Sequence, residues 1–194
     1  MKLENIEILK NGGVGVIPTD TIYGLVGRAD MPETVARIAR IKNRADGKGF
    51  IVLISSVEDL KLFGIEISDN VSFFLNKFWP GKVSVEVSYN SPEFKHLRRP
   101  EGCNAFRLPD QADLLATLRQ TGPLVAPSAN ISNEPPAKNI KEAEKYFGLA
   151  GREGGVDFYE DAGELDSAPS TLVKIIDDKI EILRQGAVHL DPAE

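Results

Sequence analysis

The sequence VGVIPTDTIYGLVGRADMPETVARIARIKNRADGKGFIVLI, residues 14–54, decides the fold of this protein. It begins with an apolar stretch that stops at Pro18 and closes with a second apolar stretch, Phe50 to Ile54. Between them lie two hydroxyl groups flanking Asp20, a segment with helical periodicity and several basic residues. This pattern predicts a β-loop-α-β unit with polar side chains at the carboxyl end of the first strand, where ligands bind in open α/β sheets.

A basic group at and beyond the end of the predicted helix stands out against a net charge of -6. Its members are Arg37, Arg40, Lys42, Arg44 and Lys48. Cations on a loop beside a strand end suit a polyanion such as a triphosphate, because arginine binds phosphate as a fork and lysine as a point charge. Alternatively, cations at a helix C-terminus only complement the helix dipole and face water. Charge alone leaves both interpretations open.

The composition predicts one globular domain over residues 1–194, since 42% of the residues are hydrophobic and 27% are charged. No apolar run approaches the roughly 20 residues that span a bilayer. The amphipathic, acidic N-terminal segment does not resemble a secretory signal, and the single cysteine excludes an internal disulfide. We therefore expect a cytoplasmic protein with no membrane partner. The net negative charge argues against general affinity for nucleic acid.

Helix signals recur along the chain. A helix is predicted near residues 3–11, and Asp30 with Glu33 forms a capping-box pattern at the start of the helix in the opening unit. Further N-caps are predicted at Ser56, Ser68, Asp110 and Asn139. The segment Trp79-Pro80-Gly81 is predicted to end the helix that Ser68 begins.

Strand signals alternate with these helices. Val83, Val85 and Val87 alternate with polar residues, which predicts a half-buried strand. Short strands are predicted at 104–107 and 124–126, and a hairpin at 172–176 and 180–183 with its turn at Asp177-Asp178. The mixture of βα units and antiparallel strands predicts an α/β fold with a mixed twisted sheet and flanking helices.

Small polar or cationic groups stand at the ends of several predicted strands. They are Thr19-Asp20-Thr21, Arg107, Ser128-Ala129-Asn130, Ser170-Thr171 and Arg184. Taken singly, each has an ordinary structural interpretation; Ser-Ala-Asn after a strand, for example, is typical of a turn whose side chains bond their own backbone. Together with Lys42, Arg44 and Lys48 they predict one shared cleft.

Several kinds of site are unsupported by the sequence. It contains no GxxxxGK[ST] phosphate loop and no GxGxxG fingerprint. Its two histidines, His96 and His189, have no partners at metal-ligand spacing, and Ser128 has no GxSxG context. Cys103 is interpreted as a small buried residue rather than a nucleophile. The chemistry that remains is positioning and charge neutralisation around a phosphate-bearing substrate.

An ordered set of motifs runs along nearly the whole chain: PTDTIYGL at 18–25, IKNR at 41–44 with Lys48, FWPG at 78–81, RLP at 107–109, APSANIS at 126–132, PST at 169–171 and RQG at 184–186. The set resembles the YrdC/Sua5/TsaC family of threonylcarbamoyl-AMP synthases from about residue 10 to residue 188. The resemblance implies a YrdC-like twisted mixed parallel/antiparallel sheet flanked by helices, with a concave positively charged cleft. The length resembles the single-domain form of the family.

The resemblance also implies a reaction. The family joins L-threonine, bicarbonate or CO2 and ATP into threonylcarbamoyl-adenylate and pyrophosphate. Its product donates the threonylcarbamoyl group of N6-threonylcarbamoyladenosine in tRNA through separate transfer proteins. Mg2+ is expected on the ATP phosphates, with no metal ligand from protein side chains.

Site residues follow from the resemblance, motif by motif. The catalytic set is Lys42, Arg44, Ser128 and Asn130. ATP is assigned to Arg44, Lys48, Cys103, Ser128, Pro136 and Arg184. Threonine is assigned to Thr21, Tyr23, Leu53, Arg107, Ala126 and Ser170, with Arg107 as the partner of its carboxylate.

The chain departs from the family pattern at a few positions. Ala45 and Gly49 stand where prolines are common, Lys82 stands where proline is usual, and Asn133 replaces a glycine. None of these removes a side chain assigned above. The alternatives are an RNA-binding module, a nucleotide sensor without synthase activity, and a carbamoyl-adenylate step like that of hydrogenase-maturation HypF proteins.

Overall fold

The computed structural model describes residues 1–44, 49–97, 102–152, 154–176 and 179–191. Its helices are α1 Leu3–Lys10, α2 Pro32–Ile41, α3 Asp69–Phe78, α4 Ala112–Thr121 and α5 Ile140–Phe147, with short 3-10 helices at Val57–Phe63 and Lys95–Leu97. Its strands are β1 Gly15–Ile17, β2 Gly24–Arg28, β3 Ile51–Leu53, β4 Val83–Ser88, β5 Cys103–Arg107, β6 Leu124–Val125, β7 Phe158–Tyr159, β8 Thr171–Ile176 and β9 Lys179–Arg184.

The described strands form one sheet in the order β7-β1-β2-β6-β3-β5-β4-β8-β9. The pairs β1–β7, β3–β5 and β4–β8 are parallel, and the remaining neighbours are antiparallel. The prediction of a mixed sheet with flanking helices is therefore confirmed. That residues 1–194 form a single domain stays a prediction. No helix in the described part of the chain is long and apolar enough to cross a membrane.

The opening unit contains a strand that the sequence analysis missed. β2 pairs with β1 as an antiparallel hairpin, so β2 and β6 separate β1 from β3 in the sheet. Gly24 and Gly27 weaken the strand signal of this segment. Gly27 is needed because a side chain there would meet Thr34: an added Cβ would lie 2.4 Å from Thr34 Cγ2. The glycine thus lets α2 pack closely on the sheet.

Apolar side chains cover the two faces of the sheet in separate clusters. On one face, Val52, Val85 and Phe106 belong to the larger core, which α2, α3 and α5 complete. On the other face, Leu53 and Leu124 pack in a smaller cluster with residues of α1 and α4. Because α1 and α4 cover only part of this second face, the sheet beyond Leu53 is left to form the wall of a cavity.

Two of the predicted N-caps are wrong. Helix α2 begins after Met31 with no side-chain cap, and Asp30 instead accepts a hydrogen bond from Arg28 Nε at 2.8 Å. Helix α4 begins after Gln111, also without a side-chain cap. Asp110 is engaged through its backbone, whose N–H donates to Asp20 Oδ2 at 3.3 Å. A local ion pair thus engages Asp30, and a long-range contact with Asp20 engages Asp110, in place of the expected caps.

The other caps are confirmed. Ser68 accepts from the Val71 N–H at 3.2 Å, and Asn139 Oδ1 accepts from the Glu142 N–H at 3.0 Å. Ser56 forms a reciprocal capping box with Asp59, although the helix it begins is a 3-10 helix. Helix α3 ends at Phe78, directly before the predicted Trp79 stop.

The predicted hairpin near the end of the chain is confirmed by the antiparallel pairing of β8 and β9, while its turn at Asp177-Asp178 lies outside the described residues. The prediction that β4 is half-buried is wrong. Ser84 is 0% exposed and Glu86 is 2% exposed, because β4 is flanked by β5 and β8 and both of its faces are covered.

An ion pair between Arg37 and Asp157 ties α2 to the strand edge. Arg37 donates to both carboxylate oxygens of Asp157, at 2.7 and 2.9 Å, and the Val14 N–H donates to Oδ2 at 2.7 Å. Burial raises the pKa of Asp157, but the Arg37 and Val14 hydrogen bonds outweigh it and hold this pKa below its ordinary value of 3.8. The contact fixes the direction of α2, whose C-terminal end carries Lys42 and Arg44.

We predict that Asp157→Asn lowers the free energy of unfolding at pH 7 by about 1–3 kcal/mol, since it removes a charged acceptor of three hydrogen bonds. A depressed carboxyl pKa contributes stability that is present above pH 3.8 and is lost as the pH falls through the lower folded value. The difference between wild type and variant should therefore shrink below about pH 4. Urea unfolding at pH 7, 5 and 3 measures it, and a difference independent of pH would contradict the assignment.

Candidate active site

A cavity of about 250 Å³ opens on the sheet face that α1 and α4 leave uncovered. Its wall contains residues from every predicted strand-end group: Thr19, Thr21, Arg107, Ser128, Asn130, Ser170 and Arg184. The strand-end groups therefore share one cleft as predicted, whereas the described wall contains neither Lys42 nor Arg44, which were expected to join them. One detail differs, because Ser170 precedes β8 rather than following a strand. Pro136, Ala126 and Tyr23, assigned by the resemblance, also line it.

The floor of the cavity holds a directed chain of hydrogen bonds. Arg107 Nη1 donates to Thr21 Oγ1 at 3.1 Å, and the Thr21 and Thr19 hydroxyl oxygens lie 3.1 Å apart. Thr19 Oγ1 donates to the carbonyl of Ile22 at 2.7 Å, so its only proton is committed. Thr21 must then donate to Thr19. Thr21 Oγ1 can therefore only accept a hydrogen bond from a ligand in the cavity.

Two guanidinium groups face the same cavity. Arg107 is 4% exposed, and burial lowers its pKa, while Asp20 raises it and Arg184 lowers it further. Burial also lowers the pKa of Arg184, whose Nη2 donates to the Ser170 carbonyl at 2.7 Å. Both groups remain cationic, because arginine is not deprotonated in proteins. Two partly desolvated cations favour an anionic ligand such as a carboxylate or a phosphate.

Ser170 is fixed by a second serine that the sequence analysis did not single out. Ser84 Oγ and Ser170 Oγ lie 2.8 Å apart, and both side chains are buried. In the β4–β5 register Val85 pairs with Phe106, so Ser84 stands opposite Arg107 on the cavity face. The alternation of β4 had placed Ser84 on a polar face. The hydrogen bond with Ser170 explains why the buried position of Ser84 tolerates a hydroxyl group.

Lys42 lies beneath the loop after β6 rather than in the cavity wall. Its Nζ donates to the carbonyls of Ser128 and Asn130, at 2.5 and 2.8 Å, and to Asn130 Oδ1 at 3.2 Å. Burial, together with the charge of Arg44, lowers the pKa of Lys42 to about 7. The three oxygen atoms act in the opposite direction, since they accept the ammonium protons. Lys42 therefore shapes the loop that carries Ser128 and Asn130.

Asn130 extends this arrangement. Its Oδ1 accepts from Ser128 Oγ at 2.5 Å, and its Nδ2 donates to the carbonyls of Ile131 and Glu134, at 2.8 and 2.7 Å. Every polar atom of the Asn130 side chain is thus engaged within the loop. The predicted set of Lys42, Ser128 and Asn130 forms one connected network.

Arg44 and Lys48 are not placed in the described cavity wall. The Arg44 guanidinium stacks 4.8 Å from the centre of the Phe50 ring, and its Nη2 donates to the Gly49 carbonyl at 2.5 Å. Lys48, like Ala45, lies outside the described residues. Arg44 stands close enough to Lys42 to influence its pKa, so the IKNR segment borders the network beneath the cavity.

Leu53 and Cys103 are also absent from the described cavity wall. Leu53 packs in the smaller apolar cluster, although β3 pairs it with Arg107. Cys103 is 1% exposed at the other end of β5, and its Sγ donates to Glu86 Oε1 at 3.0 Å. Alternation along β5 nevertheless puts Cys103 on the same face as Arg107. The structure keeps both residues on the cavity face but away from the cavity itself.

Some wall residues were missed by the sequence analysis. Ile51 lines the cavity, and its two-residue spacing from Leu53 was a signal that could have found it. Glu134 brings a carboxylate to the wall, and no motif singled it out. Tyr23 is fully buried and holds the neighbouring segment, since its hydroxyl donates to the Gly163 carbonyl at 2.8 Å and accepts from the Ala162 N–H at 2.9 Å.

The Sua5/YciO/YrdC family model, described as telomere recombination, matches residues 7–186. The chain belongs to this family. A putative threonylcarbamoyl-AMP synthase of Mycobacterium tuberculosis is 30% identical over 185 residues, which are 94% of this chain and 82% of the relative. The family membership thus rests on most of the chain and not on one motif.

Solved structures of the Sua5/YciO/YrdC family are also similar. Sua5 of P. abyssi, crystallised with L-threonine, superposes with a TM-score of 0.82 at 25% identity, over 94% of this chain and 53% of that one. E. coli YciO superposes with a TM-score of 0.81 at 25% identity, over 97% and 90% of the two chains. The present chain therefore spans about half of Sua5 and nearly all of YciO.

We predict that Lys42→Met lowers the free energy of unfolding by about 1–3 kcal/mol, because buried oxygen atoms of the 128–130 loop lose their charged donor. Activity should fall by more than stability explains, since Ser128 loses its support. Chemical denaturation and steady-state kinetics measure the two effects. Lys141→Met, an exposed lysine on α5, is the control and should match wild type. Unchanged stability in Lys42→Met would contradict the role assigned to the ammonium group.

Proposed function

We propose that this protein is an L-threonylcarbamoyladenylate synthase, a nucleotidyltransferase that uses L-threonine, bicarbonate or CO2, and ATP. The observation that carries the proposal is the buried Arg107–Thr21 pair in the cavity wall beside Arg184. It supplies a cation for a carboxylate and, next to it, an acceptor for an amine or hydroxyl. The family relatives named threonylcarbamoyl-AMP synthase and the L-threonine in the Sua5 crystal support this choice of ligand.

In this proposal threonine binds with its carboxylate at Arg107. Thr21 Oγ1 accepts from the ammonium or hydroxyl group of threonine, because its own proton is committed to Thr19. The Ser170 hydroxyl, held by Ser84, supplies a further polar contact. Tyr23 and Ala126 form the adjoining wall, and Leu53 supports Arg107 from the neighbouring strand.

ATP occupies the remainder of the cavity and the basic segment beside it. Arg184, Ser128 and Pro136 reach it from the cavity wall, and Arg44 and Lys48 contact its phosphates from the segment after α2. The backbone near Cys103, on the same face of the sheet, contacts the nucleotide in this proposal. Lys42 and Asn130 act on the reaction through the loop that they hold, as positioning residues.

The chemistry requires no enzyme nucleophile. The neutral amine of threonine attacks CO2: a nitrogen–carbon bond forms, one C=O π bond gives its electron pair to oxygen, and the nitrogen loses a proton to water, which leaves a carbamate. A carbamate oxygen then attacks the α-phosphorus of ATP, and pyrophosphate leaves. The second step brings the anionic carbamate against the anionic triphosphate, so fixed cations such as Arg107 and Arg184 lower its Coulomb cost.

Mg2+ completes the proposal as a partner of ATP. The described residues contain no group of three or more His, Cys, Asp or Glu side chains that could hold a metal. The residues around the cavity fit an ion that is bound by phosphate oxygens, since Mg2+ usually keeps its waters and uses few protein ligands. Bound in this way, the ion would neutralise charge on the phosphates.

The product would supply tRNA modification indirectly. Threonylcarbamoyl-AMP is a mixed anhydride, so a separate protein must transfer its acyl group to N6 of adenosine in tRNA. A net charge of -6 gives the present chain no general means of binding tRNA by itself. We expect the reaction to take place in the cytoplasm, where ATP and tRNA meet.

The proposal predicts pyrophosphate release that needs both threonine and bicarbonate. Arg44→Ala should reduce the rate on the order of 100-fold, because it removes a cation from the developing phosphate charge. Arg40→Ala, an exposed arginine in the last turn of α2, is the matched control and should retain wild-type activity. A coupled pyrophosphate assay with each substrate omitted in turn measures this. ATP binding without pyrophosphate release would instead favour a nucleotide sensor.

A further inference from the structure

Arg107 has an ionic partner that none of the roles above uses. Asp20 Oδ1 lies 3.2 Å from Arg107 Nη2, and the two side chains are 3% and 5% exposed. Asp20 is itself fixed, because its Oδ2 accepts from the Asp110 N–H at 3.3 Å. Asp20 thus links the loop after β1 to the end of β5.

The contact leaves part of Arg107 uncommitted. Its Nη1 donates to Thr21, and its Nη2 faces Asp20, whereas its Nε has no hydrogen-bond partner among the described residues. A buried guanidinium N–H without a partner costs free energy of about 1–3 kcal/mol. Arg107 lines the cavity, and each of its terminal nitrogens carries a second N–H beyond its contact with Thr21 or Asp20, so the guanidinium retains donors for a ligand carboxylate.

The cavity also needs a negative charge before substrate arrives. Arg107 and Arg184 both line it, and the charge of Arg184 lowers the pKa of Arg107. Burying one cation beside another without compensation is strongly unfavourable. Asp20 supplies a carboxylate behind Arg107 without lining the cavity, so it offsets this charge and leaves the ligand side open.

We propose that Asp20 is the positioning residue for Arg107. It holds the guanidinium by the Nη2 side, so that the remaining N–H groups of Nη1 and Nη2 stay available to the substrate carboxylate, and it makes the protein selective for amino acids over amino alcohols. The identity of the ligand rests on the proposed synthase function. The ion pair itself does not, because both side chains are described.

Asp20→Asn tests the proposal by removing the charge while keeping the size of the side chain. The guanidinium loses its fixed orientation, so KM for L-threonine should rise roughly 10–100-fold, the range expected for a charge-assisted hydrogen bond. KM for ATP should stay within about 3-fold of wild type if only the carboxylate contact is weakened. Asp113→Asn, an exposed carboxylate on α4, is the control and should match wild type.

The discriminating readout compares L-threonine with L-threoninol, in which an alcohol replaces the carboxylate. Wild type should bind threonine far more tightly, and Asp20→Asn should reduce that preference by the same factor as it raises KM. In an Arg107→Gln background the Asp20→Asn change should have little further effect on the preference, because Asp20 acts through Arg107. Isothermal titration calorimetry gives both affinities without relying on turnover.

If Asp20→Asn caused a general loss of structure, it would weaken the binding of threonine, threoninol and ATP alike. The preference for threonine over threoninol would then stay unchanged, and this result would overturn the proposal. Tighter threonine binding in Asp20→Asn would overturn it as well. Wild type that binds threonine in preference to threoninol but releases no pyrophosphate would defeat the proposed synthase reaction and leave the role of Asp20 standing.

Discussion

The buried ammonium group of Lys42 is the contact on which the arrangement of the site depends. Lys42 directly follows α2, and its ammonium group donates to two carbonyls and one side-chain oxygen of residues 128–130. The Lys42 carbonyl also accepts from the Ser132 N–H at 2.8 Å, so the two segments are joined in both directions. Ser128 in turn forms an isolated bridge with Gly24 at the start of β2. One lysine thus connects the opening unit to the loop that forms the far wall of the cavity.

The second constraint is electrostatic. The cavity gathers Arg107 and Arg184 on a partly buried surface, and such cations are costly unless they are hydrogen-bonded and compensated. The compensation comes from Asp20, which does not line the cavity, and from the Thr19–Thr21 hydroxyl chain and the Ser170 carbonyl. The face directed into the cavity keeps donors in reserve, which is what an anionic substrate requires.

Particular residues show how far the sequence could predict this structure. The strand ends with their polar groups follow from local patterns, and the cavity gathers them as expected. The β2 strand was missed because Gly24 and Gly27 removed its signal, and the packing of α2 requires the glycine at 27. The caps at Asp30 and Asp110 failed because Arg28 and Asp20 engage those segments instead. The first contact is local but lies outside the helix, and the second joins segments 90 residues apart.

The site residues likewise fall into those that local motifs identify and those that only contacts between distant segments reveal. Motifs identified Arg107, Ser128 and Ser170, since these side chains reach the cavity directly. The motifs could not distinguish these cavity residues from Lys42, which belongs to the same ordered set but lies under the loop of residues 128–130. Ser84 and Asp20 act at one remove, through pairings between distant strands and loops. A linear pattern contains no distance between such residues, so only the folded chain reveals their roles.

The most direct test of the account follows carbon from bicarbonate into product. Purified protein is incubated with ATP, Mg2+, L-threonine and 13C-bicarbonate, and the nucleotides are analysed by mass spectrometry. The account predicts threonylcarbamoyl-AMP that carries one 13C in its carbamoyl group, formed only when threonine is present. Formation of AMP or ADP without a labelled adduct would contradict it.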